Sequence, residues 1–306
     1  MVMIYMGMNR ILFVMWMAGI LLLSSCSVKE DRSGCPCWMT VDLSKVAESR
    51  WKSPERQSST EYQMVTKSLE SRQHIAESVV LRLRGNSDED EGDYAFKMTE
   101  TVNTEVGALE YEVPRGSVGV SAVALGNEIP GQAGYDGIVG YDGDEIRIPV
   151  GEQMDSLYGF FRMFYTRCES VLCDVELHKE FCTVSFTLGD DGYVSPYNLE
   201  VWGNVAGVSA WDLMPLEGDF RFTPSPEDGV YRVRVPRQVD NSLELVMLED
   251  SEIVDRLPLG EYIARSGYDW AAEDLADVHV ALDMEKQQVM ITVSGWDGVV
   301  MMDIVI

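Results

Sequence analysis

Histidine is nearly missing from this chain, with 3 in 306 residues, and basic residues are few, with 24 Lys plus Arg against 51 Asp plus Glu. The first shortage removes the commonest acid–base and metal-binding side chain. The second leaves a formal net charge of −27. No basic patch interrupts that acidity, so nucleic acid and anionic lipid headgroups are not expected as partners. There is no Gly-x-Ser-x-Gly elbow, no His-Glu-x-x-His helix and no glycine-rich phosphate loop. His74 lies in a stretch poor in apolar residues, His178 follows a strand-like segment, and His279 falls inside an expected strand. With 51 carboxylates some pair will stand at glycosidase spacing by chance, but no local motif singles one out. The expectation is a protein that is not an enzyme, with no cofactor and no small-molecule substrate.

Long apolar runs are also scarce. The N-terminal one, Ile11 to Leu23, is thirteen uncharged residues after Arg10, short of the roughly 20 that a membrane-spanning helix needs. Ser24, Ser25 and Cys26 follow, and then the polar run Ser27-Val28-Lys29-Glu30-Asp31-Arg32. A charged start, an apolar middle and small residues at a cleavage point are the parts of a secretory signal peptide. Leu23-Ser24-Ser25-Cys26 is the box at which bacterial lipoproteins are acylated and cut. Residues 1–25 are therefore expected to be a lipoprotein signal peptide, with Cys26 the lipidated first residue of a tether over residues 26–36. Each buried acyl methylene adds about 0.8 kcal/mol, so several chains make a firm anchor. An uncleaved anchor helix over residues 2–23 is the alternative, since Met1 to Met8 is also largely apolar, and either Met1 or Met8 would serve as initiator. Lys29, Glu30 and Asp31 resemble the short acidic export signal that sends Bacteroidota lipoproteins to the outer face of the outer membrane; a solvated tether is the plainer reading.

Cysteine is limited to 6 residues, five once Cys26 carries lipid, so disulfides would leave one over. Export permits disulfides, but Cys168, Cys173 and Cys182 are too scattered to pair by eye. Cys35-Pro36-Cys37 has one intervening residue where redox motifs usually have two, and too few histidines accompany it for a tetrahedral zinc set. A structural role is expected. Asn86, Asp88 and Asp90 alternate as in a calcium loop, but Glu91 stands where glycine is required and Lys97 where a glutamate should be. Looser calcium sites remain open at Asp88 to Asp93, at Asp142-Gly143-Asp144-Glu145 and at Asp190-Asp191, against a reading of all three as solvated acidic turns.

What the chain has in quantity is apolar and β-forming residues, 46% hydrophobic with 13 Tyr. Strands with period-2 alternation are read at residues 37–43, 79–84, 111–113, 118–125 and 145–150, separated by glycine-rich turns. The alternation lapses over residues 155–165, then resumes at 181–188, 198–203, 230–235, 243–248, 278–283 and 288–293. Tyr231-Arg232-Val233-Arg234-Val235 shows it most clearly, with arginines on one face and apolar residues on the other. Residues 47–71 read as a long exposed loop, and Asp269 to Leu275 as the one candidate helix. Short strands at this spacing predict an all-β protein of two tandem sandwiches, over residues 37–165 and 166–306. The mature chain of about 280 residues is long enough for two cores.

The C-terminus ends Val299-Val300-Met301-Met302-Asp303-Ile304-Val305-Ile306 after Trp296-Asp297-Gly298. On alternation, Val300, Met302, Ile304 and Ile306 share a face. A free apolar tail is a sticky edge unless it is paired. It is either the closing strand of the second sandwich or a donor strand that completes a neighbouring subunit's sheet.

A lipobox, Cys35-Pro36-Cys37-Trp38 leading into a strand, Asp155-Ser156-Leu157-Tyr158-Gly159 at mid-chain, and Leu257-Pro258-Leu259-Gly260-Glu261-Tyr262-Ile263 through Asp277-Val278-His279-Val280 to Val293-Ser294-Gly295-Trp296 resemble the FimB-like anchor family of Bacteroidota fimbriae. The resemblance runs over essentially the whole mature chain; its motifs are loose, and their order and spacing carry it. It implies two transthyretin-like β-sandwiches on the cell surface that anchor a type V fimbrium at its base, contact its stalk subunits and end subunit addition. In that family's logic stalk subunits lose an N-terminal strand to a cut after a basic residue. Arg50 and Arg56 lie where such a cut would fall, although an anchor so cut would part from its lipid. The competing expectation is a surface glycan-binding lipoprotein of a polysaccharide-uptake system, using Trp202, Trp211, Tyr231, Trp270 and Trp296 to stack sugars. Such aromatics are more often buried.

Overall fold

The computed structural model describes residues 37–48, 78–87, 96–125, 141–167, 169–189, 195–283, 288–293 and 299–303. Among them the chain forms β1 (Cys37–Asp42), helix α1 (Ser44–Glu48), β2 (Ser78–Ser87), β3 (Phe96–Asn103), β4 (Ala108–Val113) and β5 (Gly116–Leu125). A small hairpin of β6 (Tyr141–Asp142) and β7 (Glu145–Arg147) precedes β8 (Leu157–Tyr165), β9 (Ser170–Asp174) and β10 (His178–Lys179). Next come β11 (Phe181–Leu188), β12 (Asn198–Ser209), β13 (Pro215–Phe222), β14 (Tyr231–Pro236), β15 (Glu244–Glu249) and β16 (Glu252–Leu257). Helix α2 (Leu259–Arg265) then leads to β17 (Val278–Asp283), β18 (Gln288–Val293) and β19 (Val300–Asp303).

Two sandwiches result, as the alternation predicts. In the first, a three-stranded sheet ordered β4-β1-β9 lies over a five-stranded sheet ordered β10-β8-β5-β2-β3. Met39, Val41 and Cys173 of one sheet share a core with Leu81, Leu83, Val120 and Phe160 of the other. In the second, β14-β11-β17-β18-β19 lies over β16-β15-β12-β7-β6, with β13 also paired to β12. Its core joins Val184, Phe186, Val233, Val280 and Ile291 to Val201, Phe220 and Leu245. Tyr231, Val233 and Val235 point inward and Arg232 outward, the pattern the sequence shows.

Three expectations change. Asp269 to Leu275 is irregular, and the helix stands earlier, at α2, where Leu259, Tyr262 and Ile263 bury one face. The lapse in alternation over residues 155–165 is not a loop but β8, bonded on both sides to β5 and β10. Alternation fails there because part of β8 is covered on both faces: Phe160 enters the first core, while Phe161 meets the Trp211 ring edge-on. Nor does the chain pass from one sandwich to the other once, near residue 165. It visits the second sandwich for β6 and β7, returns for β8 to β10, and leaves again at Glu180.

That interleaving brings two turns onto the outer face of the β8-β5-β2 sheet. One is the β6–β7 turn, and the other is residues 209–214 between β12 and β13. Trp211 lies over Gly119 so closely that a Cβ there would come within 2.5 Å of the indole. Leu213 lies over Gly159 in the same way, with 2.7 Å to a Cβ. Leu213 adopts φ 61°, a left-handed conformation unfavourable for a leucine, and that contact with Gly159 is what the strain accompanies.

Between the turns sits Arg82 of β2, 1% exposed. Its guanidinium donates to the Ala210 carbonyl at 2.6 Å and to the Gly143 carbonyl at 2.7 Å, one from each turn. Ser121 Oγ also donates to Ala210 O, at 3.0 Å. Arg84 stacks on Trp211 at 4.7 Å and pairs with Asp144. An arginine stays charged when buried, so its acceptors are obligatory. Arg82→Met should cost about 3 kcal/mol in denaturant unfolding, and calorimetry should resolve the single transition into two as the sandwiches uncouple.

Candidate functional site

The tail has little holding it. Of the eight residues expected as a donor strand, Val300, Met301, Met302 and Asp303 form β19 and pair with the chain's own β18. Val299 precedes the strand, and Ile304, Val305 and Ile306 lie outside the described residues. The tail thus pairs within its own sheet, where Met302 packs against a core that β18 already lines with Val289 and Ile291.

The hold is nevertheless weak by comparison with the rest of the sheet. Among the described residues β17 and β18 share six residue pairs, β18 and β19 four. Val289, Ile291 and Val293 of β18 are buried, whereas no residue of β19 is, and Met301 is 69% exposed. Among the described residues β19 is the last strand of its sheet. The opposite sheet also ends in an exposed strand, β16, but that edge is protected as natural edges usually are. It carries Glu252, Asp255 and Arg256, and its pairing with β15 is interrupted by a register shift between Met247 and Leu248. Asp303 is the one charge on β19.

A second polar centre lies where the chain crosses finally between sandwiches. Lys179 is 2% exposed; its ammonium pairs with Asp277 at 2.5 Å and lies over the Phe181 ring. Glu180 is buried beside Arg237 at 3.1 Å, and Arg237 also donates to the Trp270 and Ala272 carbonyls. Burial holds the Glu180 carboxyl above its ordinary range, against the pull of Arg237. His178 stands 3.4 Å from Asp274, and that hydrogen bond raises the histidine while lowering the aspartate. Sequence reasoning missed this cluster and Arg82 alike. Their only sequence signal is charge inside apolar runs, as in Leu81-Arg82-Leu83.

The other candidates separate cleanly. Cys26, Lys29, Glu30, Asp31, Cys35, Arg50, Arg56, His74, Cys168 and Trp296 lie outside the described residues, as do the acidic stretches 88–93 and 190–191. At the remaining calcium candidate, Asp144 is taken by Arg84, Glu145 by Arg147 at 2.7 Å, and the Gly143 carbonyl by Arg82. Arginine thus occupies an acceptor of each of these three residues. Burial pushes the Cys173 and Cys182 thiols up to about 12, the reverse of what a nucleophile needs. Cys37 is buried on β1. His279 is lowered by burial and faces Ser185 at 3.1 Å. Of the expected sugar-stacking aromatics, Trp211 and Tyr231 are buried, and Trp270 packs against the second core. Trp202 is flanked by Arg221 at 4.4 Å and Arg256 at 5.0 Å, with its indole N–H donating to Glu200.

No family model matches the chain, and no curated protein matches it by sequence. In fold it is similar to a protein from Bacteroides thetaiotaomicron provisionally described as polysaccharide-binding (DUF1812). That match has TM-score 0.51 at 14% identity, over 88% of this chain and 98% of the other. Looser matches include a provisionally named adhesin from Bacteroides ovatus, at 0.47 and 14% over 87% and 95%. The fimbrial anchor protein Mfa2 from Porphyromonas gingivalis matches at 0.46 and 12% over 86% and 98%. At these identities the likeness concerns fold.

Met302→Asp should release β19 at a cost of about 1–2 kcal/mol, read as faster amide hydrogen exchange in β18 with β11 and β17 still protected; unchanged exchange would mean β19 is held by more than its inward face. The His178–Asp274 pair sets a pH window. Folding favours charged His178, raised above its ordinary 6.5, so its contribution is full below that value and fades as pH rises through the raised one. Asp274, lowered from 3.8, contributes above 3.8 and fades as pH falls through the lowered value. Urea unfolding of His178→Gln should therefore differ from wild type at about pH 5 and converge with it by about pH 9.

Proposed function

We propose that this chain is a non-enzymatic lipoprotein of the outer-membrane surface that anchors a type V fimbrium at its base and limits its polymerisation, contacting stalk subunits by strand addition. The observation that carries the proposal is β19, a four-residue edge strand with no buried residue on a sheet whose inner strands are deeply buried. Such a strand is the part of the sheet most easily exchanged. If it leaves β18, alternating apolar residues and free main-chain groups are available to a neighbour, and strand addition satisfies both at once.

Two further features fit an anchor. The expected lipid site at Cys26 stands at the opposite end of the chain from the tail. Tension entering at the second sandwich would reach that tether only through the first, and the contacts around Arg82 join the two. The glycan-binding reading has support in the description of the Bacteroides thetaiotaomicron protein of similar fold, but the described candidates Trp202, Trp211, Tyr231 and Trp270 are in cores or flanked by arginine.

A Cys26→Ala strain should shed its fimbriae into the medium, and shed fibres should be longer than wild type, as seen by electron microscopy of cells and supernatant. Fibres of normal length still attached to the cells would sink the anchoring role.

A further inference from the structure

The outer face of the β4-β1-β9 sheet carries exposed apolar side chains among carboxylates. Register places Trp38 of β1 between Glu112 of β4 and Ser170 of β9. In the next outward row Thr40 stands between Glu110 and Leu172, and in the third Asp42 stands between Ala108 and Asp174. Inward residues of the same strands, Met39, Val41 and Cys173, are 0% exposed. On the outward face, by contrast, Trp38 is 49% and Leu172 is 61% exposed. The two are diagonal neighbours, one row of about 7 Å apart along the strands, so they make one apolar spot.

Carboxylates surround that spot. Glu110 and Glu112 border it on the β4 side, and neither has a cationic partner among the described residues. Asp42 and Asp174 border its far end, where Lys45 reaches Asp174 at 3.4 Å as the one cation paired to this face among the described residues. Asp42 is itself held below its ordinary value by the Ser44 backbone N–H, so it stays ionised. An exposed Trp costs free energy in water unless something covers it, and interface centres are enriched in Trp. A second copy of this chain would bring the same acids against these, and an anionic lipid surface would be repelled.

We propose that this face is a docking site for a protein partner that presents an apolar depression ringed by Lys and Arg. Trp38 fills the depression, Leu172 extends the contact, and Glu110 and Glu112 pair with the basic ring, which steers encounter and sets orientation. The site lies on the first sandwich, away from β19 in the second, so it stands whether or not the chain anchors a fimbrium.

The test uses the full chain in its own cells with p-benzoylphenylalanine in place of Trp38, and a matched strain carrying it in place of Val239, which at 61% exposed is at least as open as Trp38. Irradiation should join position 38 to one protein, and mass spectrometry of the joined peptide should find it flanked by Lys or Arg. Position 239 should give no such adduct. Adding Glu110→Lys and Glu112→Lys should reduce the adduct at least about tenfold, with the purified variant melting as wild type does. If charge reversal lowers the melting point, Glu110→Gln with Glu112→Gln should still weaken the adduct. The proposal is overturned by the absence of an adduct at 38, by an adduct that persists through the charge changes, or by joining to lipid, to a second copy or to an acidic surface.

Discussion

Arg82 carries a charge that burial does not remove, and the structure is arranged around the oxygens that receive it. A guanidinium withdrawn from water needs hydrogen-bond acceptors in fixed directions, and the two it uses belong to turns of the second sandwich, not to the sandwich that holds the arginine. Arg84 with Asp144 and Ser121 with the Ala210 carbonyl hold the same two turns. With the turns so held, Trp211 and Leu213 settle on the glycines that β5 and β8 leave bare, and the space fits no side chain larger than hydrogen. One buried cation thereby turns two sandwiches, each with its own core, into a connected pair.

The crossing at Glu180 repeats the device with different partners. Lys179 and Glu180 are buried side by side, and each meets an opposite charge, Asp277 or Arg237, from the second sandwich. Buried pairs of this kind add little net stability over apolar packing but are costly to break singly. They specify one arrangement. A chain that passes between sandwiches three times needs such specification, because nonpolar contact alone would tolerate several relative placements.

Against these fixed joints stand the open places. β19 is held by four pairs and half an apolar face, and the β4-β1-β9 sheet shows a tryptophan to water. Rigid scaffold and loosely held edge are complementary: exchange at an edge is cheap only if the rest of the sheet stays ordered while it happens.

Alternation alone determined that the chain is all-β and where most inner strands run, because a strand with one wet face must alternate. The same rule placed Val300 and Met302 together on one face of the tail. It failed at β8 for the reason it works elsewhere, since a strand covered on both faces has no wet side to mark. Arg82, Lys179 and Glu180 look in sequence like ordinary strand charges, because their partners lie 57 to 128 positions away. Which turn lands on which sheet, and whether an apolar tail closes its own sheet, depend on contacts between residues far apart in the chain, and only the folded molecule decides those.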